Sequence, residues 1–370
     1  MEVCKTVPAV GIREHEHQKG NGHPPEHFEG EDRPNNGDQG RASSNAQVVG
    51  LSSTSALYVC GGMRDAVLAS WIAEDASSKQ LLGDVQRIAP TSASVLIRGE
   101  SGTGKKLLAL LLHSLSSRAT RPIVHIDCAN LGQTFLETEL FGCEAGAITG
   151  LAGPKPGQLE LAGSGTVVLN EVAALSLPLQ AKLLRVIEDQ HTERVGGNHR
   201  VEIKANIVAL TSVDLEQAVA RHALRKDLYY QLNVVPITIR PLRERPLDIG
   251  ALAEHFLCQA LEIHKQPRMK FTSEAMTALQ EYDYPGNVRE LRQIVERAVL
   301  SATPPEVQLE DLPWYLRHAN TAPQMSLEEL ERHHIVRVLE HTRGKKTQAA
   351  RILGISRKTL LEKRKRYNLG

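Results

Sequence analysis

Apolar runs of strand length alternate with helical stretches from about residue 71 to residue 240. This alternation is typical of a parallel β-sheet covered by helices on both faces. Each candidate strand is almost continuously apolar, as expected when both faces of a strand are buried. The predicted strands are SVLIRG (94–99), PIVHID (122–127), GTVVLN (165–170), NIVALTS (206–212) and VVPITI (234–239).

After residue 240 the apolar positions follow a helical period instead of continuous runs. The α/β region is therefore predicted to cover residues 71–240 and a smaller all-helical module residues 241–316. A linker is predicted over 317–326 and a last domain over 327–370. The apolar positions that carry the helical pattern are Leu247, Ile249, Leu252, Phe256, Leu257, Val288, Leu291, Val295, Ala298 and Val299.

The first 47 residues are rich in glycine, proline and charge, and their one aromatic residue is Phe28. Such a segment cannot bury enough apolar surface to offset chain entropy, so we predict a disordered tail over 1–47. Residues 48–70 are predicted to be partly ordered, as a linker or a short helix. Histidines in a flexible tail do not form a preorganised metal site, and no metal site is expected there from His15, His17, His23 and His27.

The composition narrows the protein class further. The five cysteines are scattered without a C-x-x-C pair, which favours reduced, buried thiols over zinc ligands or a disulfide framework. The chain contains no run of 18 apolar residues, and its N-terminus lacks the apolar core of a secretion signal. We therefore expect a cytoplasmic protein without a membrane-spanning segment.

A phosphate-binding loop is predicted directly after the first of these strands. The segment GESGTGKK (99–106) has the spacing G-x-x-x-x-G-K and precedes a predicted helix. Its backbone N–H groups can surround phosphates, and Lys105 can reach the terminal phosphates. The motif usually places Ser or Thr after the lysine to hold magnesium, whereas Lys106 cannot ligate a metal. The predicted nucleotide-binding residues of the loop are Gly99, Glu100, Ser101, Gly102, Thr103, Gly104, Lys105 and Lys106.

The C-terminal segment is strongly basic. Residues 343–370 contain ten Lys or Arg and a single acid, Glu362, giving a local net charge of 10 − 1 = +9. Ala349 and Ala350 allow two helices to approach closely, Gly354 permits a turn, and Ser356 can cap the next helix. This pattern predicts a helix-turn-helix. The preceding segment LEELERHHIVRVLEH is predicted to be a supporting helix that can also dimerise.

The second helix of this motif is the predicted recognition helix. Arg357, Lys358 and Thr359 lie at its start, where side chains reach base edges. A solvated surface face is the alternative reading of such a charge run, but the turn pattern and the basic cluster coincide here, which favours binding to double-stranded DNA. Contacts to backbone phosphates are predicted for Lys363, Arg364, Lys365 and Arg366.

Five motifs occur in one order over about four fifths of the chain: GESGTGK, ELFGCEAGAITG, QAKLLRVIEDQHTERVGG, LRKDLYYQLNVVPITIRPLRER and YPGNVRELR. In these motifs residues 71–370 resemble the sigma-54-dependent transcription activators. The resemblance implies a P-loop AAA+ domain with a helical lid and a Fis-type helix-turn-helix. It further implies a homo-oligomer, usually a hexameric ring, that binds ATP between subunits and remodels RNA polymerase through sigma-54. No sensory domain of ordinary size is expected before residue 71.

The resemblance also assigns roles to single residues. Glu171 is the implied base that activates water, Arg225 reaches the ATP of a neighbouring subunit, and Arg289 contacts a bound phosphate. The implied sigma-54 contact loop is Gly146, Ala147, Ile148, Thr149 and Gly150. Ile148 stands where the family has an aromatic ring, which weakens the expected contact with sigma-54.

Several positions depart from the family pattern. Asn170 replaces the Asp that organises magnesium, and Gln231 replaces a second arginine that reaches across the subunit boundary. Asp127 and Ser212 stand at the two positions where the family senses phosphate with Asn. We therefore expect ATP binding with a weakened Mg²⁺ site and slow hydrolysis or none.

Three functions remain open at this point. The first is an ATP-hydrolysing activator that remodels the sigma-54 holoenzyme. The second is a DNA-binding regulator whose AAA+ domain is an oligomerisation scaffold, acting as a repressor or through another sigma factor. The third is an ATPase that the basic segment tethers to nucleic acid, and the complete helix-turn-helix pattern argues against it.

Overall fold

The computed structural model describes residues 48–52, 55–59, 64–130, 132–147, 153–317, 327–342 and 344–367. The predicted disordered tail over 1–47 and most of the linker predicted over 317–326 lie outside these ranges. Within them, no helix is long and apolar enough to cross a membrane. Of the described cysteines, Cys128 and Cys143 are buried, as predicted for all of them, whereas Cys258 is exposed.

The strands fall into one large sheet and three small pairs. In chain order they are β1 (Val48–Ser52), β2 (Ser55–Val59), β3 (Val95–Arg98), β4 (Pro122–Asp127), β5 (Gly142–Cys143), β6 (Lys155–Pro156), β7 (Thr166–Asn170), β8 (His191–Glu193), β9 (Arg200–Glu202), β10 (Asn206–Thr211), β11 (Val235–Thr238), β12 (Lys270–Phe271) and β13 (Glu306–Val307). The five strands predicted from apolar runs are β3, β4, β7, β10 and β11, and their positions are confirmed.

Helices connect these strands and make up the C-terminal third of the chain. The α-helices are α1 (Arg64–Ser70), α2 (Ala76–Ile88), α3 (Lys105–Leu115), α4 (Gln133–Phe141), α5 (Gln158–Leu161), α6 (Leu177–Asp189), α7 (Leu215–Ala220), α8 (Lys226–Leu232), α9 (Pro246–Ile263), α10 (Ser273–Gln280), α11 (Asn287–Ser301), α12 (Trp314–Arg317), α13 (Leu327–His341), α14 (Lys346–Ile352) and α15 (Arg357–Arg366). Short 3-10 helices span Val172–Ala174, Leu242–Glu244 and Leu309–Asp311.

The large sheet has seven strands in the order β1-β2-β4-β7-β10-β3-β11. The five strands from β4 to β11 in this order are parallel to their neighbours. Successive side chains along a strand pack into apolar cores on opposite faces of the sheet. Val167 belongs to one apolar cluster and Val168 to the other. This double burial explains the continuous apolar runs. The carboxyl ends of the parallel strands meet at one edge, where open α/β sheets bind their ligands.

The segment predicted as a linker over 48–70 differs from that prediction. β1 and β2 form an antiparallel pair, and β2 pairs antiparallel with β4 at the edge of the sheet. β2 consists of SALYV, whose apolar residues suit a strand, and pairing satisfies the backbone groups at the edge of β4. α1 follows, as the predicted short helix, and buries Val67.

Contacts divide the chain into two units. The first unit extends to Arg268 and includes Asp283–Leu300, and the second comprises Met269–Tyr282 and the chain from Ser301 onward. The segment predicted as a helical lid, 241–316, is thus shared between the units, because α9 and α11 group with the sheet domain. The predicted domain boundaries therefore stay a prediction.

The helix-turn-helix belongs to the second unit. α13, α14 and α15 share a small apolar core that contains Ile335, Ala349, Ala350 and Leu360. Gly354 lies between α14 and α15 with a φ of 65°, which favours glycine. The side chain of Ser356 accepts a hydrogen bond from the N–H of Thr359, which confirms the predicted N-cap of α15.

Candidate nucleotide-binding site and DNA interface

The phosphate loop connects β3 to α3 at the carboxyl edge of the sheet. Lys105 is buried, and its Nζ donates hydrogen bonds to the carbonyl oxygens of Gly99 at 2.7 Å and Glu100 at 3.0 Å. Burial lowers the pKa of Lys105, while the charge of Glu171 opposes that shift. The loop therefore has the shape and the lysine that binding of a nucleotide's phosphates requires.

Gly102 marks a close approach between the loop and the start of α11. Its φ is 82°, and an added Cβ would lie 2.1 Å from the carbonyl oxygen of Gly286. No other residue fits this position without moving the backbone. The approach brings Arg289 onto the loop, where its Nη1 donates to Ser101 Oγ at 3.0 Å. Arg289 thus lies beside the predicted phosphate site.

The side chain of Glu100 contacts residues outside the phosphate loop. Its carboxylate accepts two hydrogen bonds from Arg243, at 2.7 and 3.0 Å, and one from Asn287 Nδ2 at 3.0 Å. These bonds, with Arg243 the larger cause, lower the pKa of Glu100. Glu100 therefore holds the outer side of the loop, and its predicted contribution to nucleotide binding rests on its backbone.

Asn287 is a functional residue that the sequence reasoning missed. It is fully buried, and its Nδ2 also donates to the carbonyl oxygen of Ser101 at 3.1 Å. Its Oδ1 accepts from the N–H of Leu242 at 2.8 Å. Asn287 lies in the motif GNVRE, two residues before Arg289, and this position is the sequence signal for it. Asn287 ties the phosphate loop to α11.

Asp127 and Asn170 end the neighbouring strands β4 and β7 and are directly paired in register. Asn170 Nδ2 donates to Asp127 Oδ2 at 3.3 Å, and Asn130 Nδ2 donates to the same oxygen at 3.0 Å. The N–H of Ala129 donates to Asp127 Oδ1 at 3.1 Å. A carboxylate is thus present at this edge, but at the end of β4 rather than of β7.

Glu171 follows Asn170 and adopts a left-handed backbone conformation, with a φ of 55°. Ser212 donates to Glu171 Oε2 twice, from its N–H at 3.0 Å and from its hydroxyl at 2.9 Å. The other oxygen, Oε1, lies 3.9 Å from Lys105 Nζ. The structure therefore brings the implied base to the phosphate loop and engages it with protein donors.

The pocket suits a nucleotide better than it suits a divalent cation, the two ligands that the resemblance implies. A nucleotide fits, since the loop, Lys105 and Arg289 converge at one edge of the sheet. A divalent cation fits poorly, because Lys106 and Asn170 stand where the loop hydroxyl and the strand carboxylate would ligate it. Among the described residues, no group of three or more His, Cys, Asp or Glu side chains is arranged to hold a metal ion.

Arg225 begins α8 and is exposed. It forms two hydrogen bonds with Asp227, at 2.7 and 3.1 Å, and these bonds are the main cause of its raised pKa. Gln231, further along α8, donates to Glu188 at 3.3 Å. The role that the resemblance assigns to Arg225 in a neighbouring subunit stays a prediction.

The predicted sigma-54 contact loop is described in part. Ile148, Thr149 and Gly150 lie outside the described residues. Gly146 and Ala147 are exposed, and β5 and β6 pair to bring the two sides of this loop together. The predicted role of this loop stays a prediction.

The charged residues of α15 divide between two faces. Lys363 Nζ lies 2.5 Å from Glu331 Oε1, and Arg366 lies 2.6 Å from Glu328 Oε1. Both acids belong to α13, and Tyr367 also donates to Glu331 at 2.6 Å. These intramolecular bonds differ from the predicted phosphate contacts, because residues 359, 363 and 366 share the helix face that meets α13.

The remaining polar residues of α15 vary in exposure. Arg357, Lys358 and Lys365 are exposed, whereas Arg364 is half-buried. Thr359 is half-buried as well, and its hydroxyl lies 2.7 Å from Ser356 Oγ in the helix cap. Arg357 and Lys358 thus remain the strongest candidates for base contacts.

The basic C-terminal segment also contains exposed cations outside α15. Lys345 and Lys346 lie at the start of α14, the first helix of the motif. The first helix of a helix-turn-helix crosses the DNA backbone, so lysines at its start suit phosphate contacts. Their position before a predicted helix could have identified them.

These features define a P-loop α/β protein with a helical segment and a helix-turn-helix, the architecture of AAA+ transcriptional regulators. Residues 71–238 match the Sigma-54 interaction domain, 243–329 the AAA+ ATPase lid domain, and 326–367 the Fis family of bacterial regulatory proteins. The chain belongs to the family of sigma-54-dependent transcriptional regulators.

Curated relatives align over most of this chain. The transcriptional regulatory protein ZraR of Salmonella typhi is 41% identical over 297 residues, which cover 79% of this chain and 67% of ZraR. The alginate biosynthesis regulator AlgB of Pseudomonas putida is 42% identical over 293 residues, covering 78% of this chain and 65% of AlgB. The chain thus spans about two thirds of the length of these relatives.

Solved structures show the same fold. NtrX from Brucella abortus in complex with ADP has a TM-score of 0.62 and 32% identity, covering 80% of this chain and 70% of that chain. NtrX in complex with ATP has a TM-score of 0.61 and 33% identity, covering 80% and 69%. The predicted AAA+ fold is confirmed.

Proposed function

We propose that this protein is a sequence-specific regulator of transcription that binds double-stranded DNA through α15 and ATP through its phosphate loop. It hydrolyses ATP slowly or not at all. ATP binding is supported by Lys105, by the loop geometry and by the nucleotide complexes of NtrX. DNA binding is supported by the exposed cations at the start of α15.

The proposal of slow hydrolysis rests on one observation, the contacts that the carboxylate of Glu171 makes with the protein. A catalytic base must be within hydrogen-bond reach of the attacking water and free to accept its proton. Two donors from Ser212 occupy Oε2, and Oε1 faces the charge of Lys105. An attacking water would therefore have to compete with these contacts for the carboxylate oxygens.

A second function is favoured by Arg225. This residue is exposed at the start of α8, where it can reach ATP in a neighbouring subunit of a homo-oligomer. An arginine supplied in this way raises the rate of P-loop enzymes by about 10³ to 10⁵. Together with the loop at 146–150, it supports an ATP-hydrolysing activator that remodels the sigma-54 RNA polymerase holoenzyme.

Turnover of ATP separates the two functions. We expect the protein with Mg²⁺ to release phosphate far more slowly than about 1 s⁻¹, the lower range of ordinary enzymes. The double variant Lys106→Ser with Asn170→Asp restores a hydroxyl and a carboxylate to the metal positions and should be faster. A protein that already turns over at about 1 s⁻¹, with no gain in the variant, would establish the second function instead.

A promoter assay completes the comparison. Genome-wide mapping of bound DNA identifies the target sites, and purified sigma-54 holoenzyme is then tested on those promoters with ATP. The proposed regulator binds the sites without driving open-complex formation. ATP-dependent opening of the promoter would contradict the proposal of slow hydrolysis but leave DNA binding intact.

A further inference from the structure

The pocket replaces both protein ligands of a nucleotide-bound metal. P-loop proteins hold magnesium through a Ser or Thr after the loop lysine and through a carboxylate that ends a neighbouring strand. Here those places hold Lys106, a cation, and Asn170, a neutral amide. Magnesium prefers oxygen ligands, several of them anionic, and an ammonium group repels it.

The nearby carboxylate of Asp127 does not restore the site. It lies on the adjacent strand, about 5 Å away in the sheet direction. Oδ2 accepts from Asn170 and Asn130, and Oδ1 accepts from the N–H of Ala129. A metal ligated there would displace these protein donors. The hydrogen bond from Asn170 shows that the two substituted strand ends fit each other.

Glu171 is engaged in the same manner. Ser212 donates twice to Oε2, and Lys105 faces Oε1 at 3.9 Å. Each oxygen of the two carboxylates that follow β4 and β7 therefore faces a donor or cation of the protein. The oxygens of these carboxylates thus already have protein partners, with which a divalent ion would have to compete.

Lys106 adds a positive charge at the start of α3, where the phosphate loop ends. It is the exposed second residue of α3 and directly follows the loop lysine Lys105. Lys105 and Arg289 supply two further cations at the loop. Three cations facing an anionic polyphosphate can take over the neutralising role of a metal.

We propose that this pocket binds its nucleotide without a divalent cation, with Lys106 in place of the metal. The inference rests on the proposed nucleotide binding and adds the charge state of the bound ligand, the metal-free nucleoside polyphosphate. A relative that requires magnesium responds to both ATP and the metal, whereas this protein responds to the nucleotide alone.

Calorimetric titration tests the proposal. The titrants are ADP and an ATP analogue with an imido group between its β and γ phosphates, so that turnover does not interfere. The dissociation constants with Mg²⁺ and with EDTA should agree within about threefold. Tightening of more than about tenfold by Mg²⁺ would overturn the inference and leave nucleotide binding established. No binding in either condition would overturn the proposed nucleotide binding itself.

Variants locate the effect. Lys106→Ser should weaken binding in EDTA by about tenfold, the contribution of one charged hydrogen bond. Lys106→Ser with Asn170→Asp should gain a dependence on Mg²⁺ of about tenfold or more. Lys79→Ser is the matched control, since Lys79 is an exposed lysine near the start of another helix, α2. Equal responses in the control and in Lys106→Ser would count against a role for Lys106.

A thermal measurement covers variants that are poorly folded. Asn170→Asp alone places a carboxylate directly opposite Asp127 and removes the hydrogen bond between them. Like charges in register destabilise a strand pair, so Tm should fall and should be partly recovered by Mg²⁺. The unaltered protein should show no such recovery. Stabilisation of the unaltered protein by Mg²⁺ alone, equal to that of the variant, would contradict the proposal.

Discussion

The nucleotide pocket and the helix-turn-helix use their charged side chains in opposite ways. In the pocket, the carboxylates of Asp127 and Glu171 accept hydrogen bonds from protein donors, with which a metal would have to compete. In the helix-turn-helix, Lys363 is held by Glu331, but Arg357 and Lys358 remain exposed at the start of α15. The carboxylates of the pocket thus contact groups of the protein, whereas the first cations of α15 are exposed to solvent.

This difference shows how a binding loop can keep its shape while its chemistry changes. The shape of the phosphate loop depends on Gly102, on Glu100 and on buried Asn287, and these residues do not face the metal position. Asn170 ends β7 and donates to Asp127, and Ser212 follows β10 and donates to Glu171. The shape of the loop and the predicted metal position therefore depend on different residues in this domain.

The largest expected effect concerns the outward cations of α15. Arg357→Ala with Lys358→Ala should weaken binding to an operator by about a hundredfold or more, because each good base contact contributes about 1–3 kcal/mol. Nucleotide binding should not change. Fluorescence anisotropy with labelled DNA measures the affinity at fixed salt.

The control removes two exposed cations from a helix of the first unit. Lys79→Ala with Arg87→Ala changes α2, where both residues are exposed and paired with acids. This variant should bind DNA as the unaltered protein does. An affinity of the α15 variant within about threefold of the control would refute the assigned DNA face.

The next effect concerns the pocket. Lys105→Ala removes the cation that reaches the phosphates and should weaken ADP binding by about tenfold to a hundredfold. Operator binding measured without nucleotide should stay the same. Calorimetry and anisotropy on the same preparation report both quantities, with Lys79→Ala as control.

A loss of both nucleotide affinity and operator affinity in Lys105→Ala would contradict the view that the two regions bind independently. If Lys105→Ala weakens operator binding as strongly as nucleotide binding, the loop and the DNA helix act as one coupled system. Separate losses support the view that DNA binding survives independently of the altered pocket.

The sequence predicted the sheet well because burial on both faces leaves a clear signal. The five apolar runs coincide with β3, β4, β7, β10 and β11 within one or two residues at their ends. β1 and β2 were missed because a short edge hairpin gains its stability from pairing with β4, which a local pattern does not reveal.

Side-chain partners in the site were less predictable. Gly102, Lys105 and Arg289 were identified by motif spacing, and the structure brings them together. The hydrogen bond between Asn170 and Asp127 joins residues 43 positions apart, so no local pattern contains it. The pairing of Lys363 with Glu331 likewise depends on how α15 packs against α13, which spacing within α15 cannot show.

A moderate effect concerns stability at low pH, where His113 in the first unit and Glu331 in the helix-turn-helix contribute over different pH ranges. Burial lowers the pKa of His113 to about 4, so the folded protein keeps this side chain neutral while the unfolded chain protonates near pH 6.5. Stability is therefore present above pH 6.5 and falls as the pH drops toward 4, by about 1–3 kcal/mol. In the helix-turn-helix, bonding to Lys363 lowers the pKa of Glu331, so its contribution to stability is present above the ordinary Glu range and is lost as the pH falls from that range through the lowered pKa.

Tryptophan fluorescence can follow the first unit alone. The chain has two tryptophans, and Trp314→Phe leaves Trp71 as the reporter beside the phosphate loop. Urea midpoints for this variant should fall between pH 6.5 and 4.5, and His113→Gln should flatten the fall. A midpoint that stays constant over this range would show that burial of His113 has no cost.

The smallest effect tests the two faces of α15 against each other. Lys365 is exposed, whereas Lys363 is half-buried against Glu331. Lys365→Gln should lower the salt dependence of DNA binding by about one unit of slope and leave the free energy of unfolding unchanged. Lys363→Gln should leave the slope unchanged and cost about 0.5 kcal/mol of stability, the usual range for a partly exposed ion pair.

Glu331→Gln sharpens this test because it weakens the acid's hold on Lys363 without removing any cation. If α13 restrains the lysine, the variant should gain up to about one unit of salt slope, since a released ammonium can reach a phosphate. The slope follows from anisotropy titrations between low and moderate salt, and stability from urea unfolding. An unchanged slope in Glu331→Gln, together with a reduced slope in Lys363→Gln, would mean that Lys363 contacts DNA even while it is bound to Glu331. The division of α15 into two faces would then be wrong.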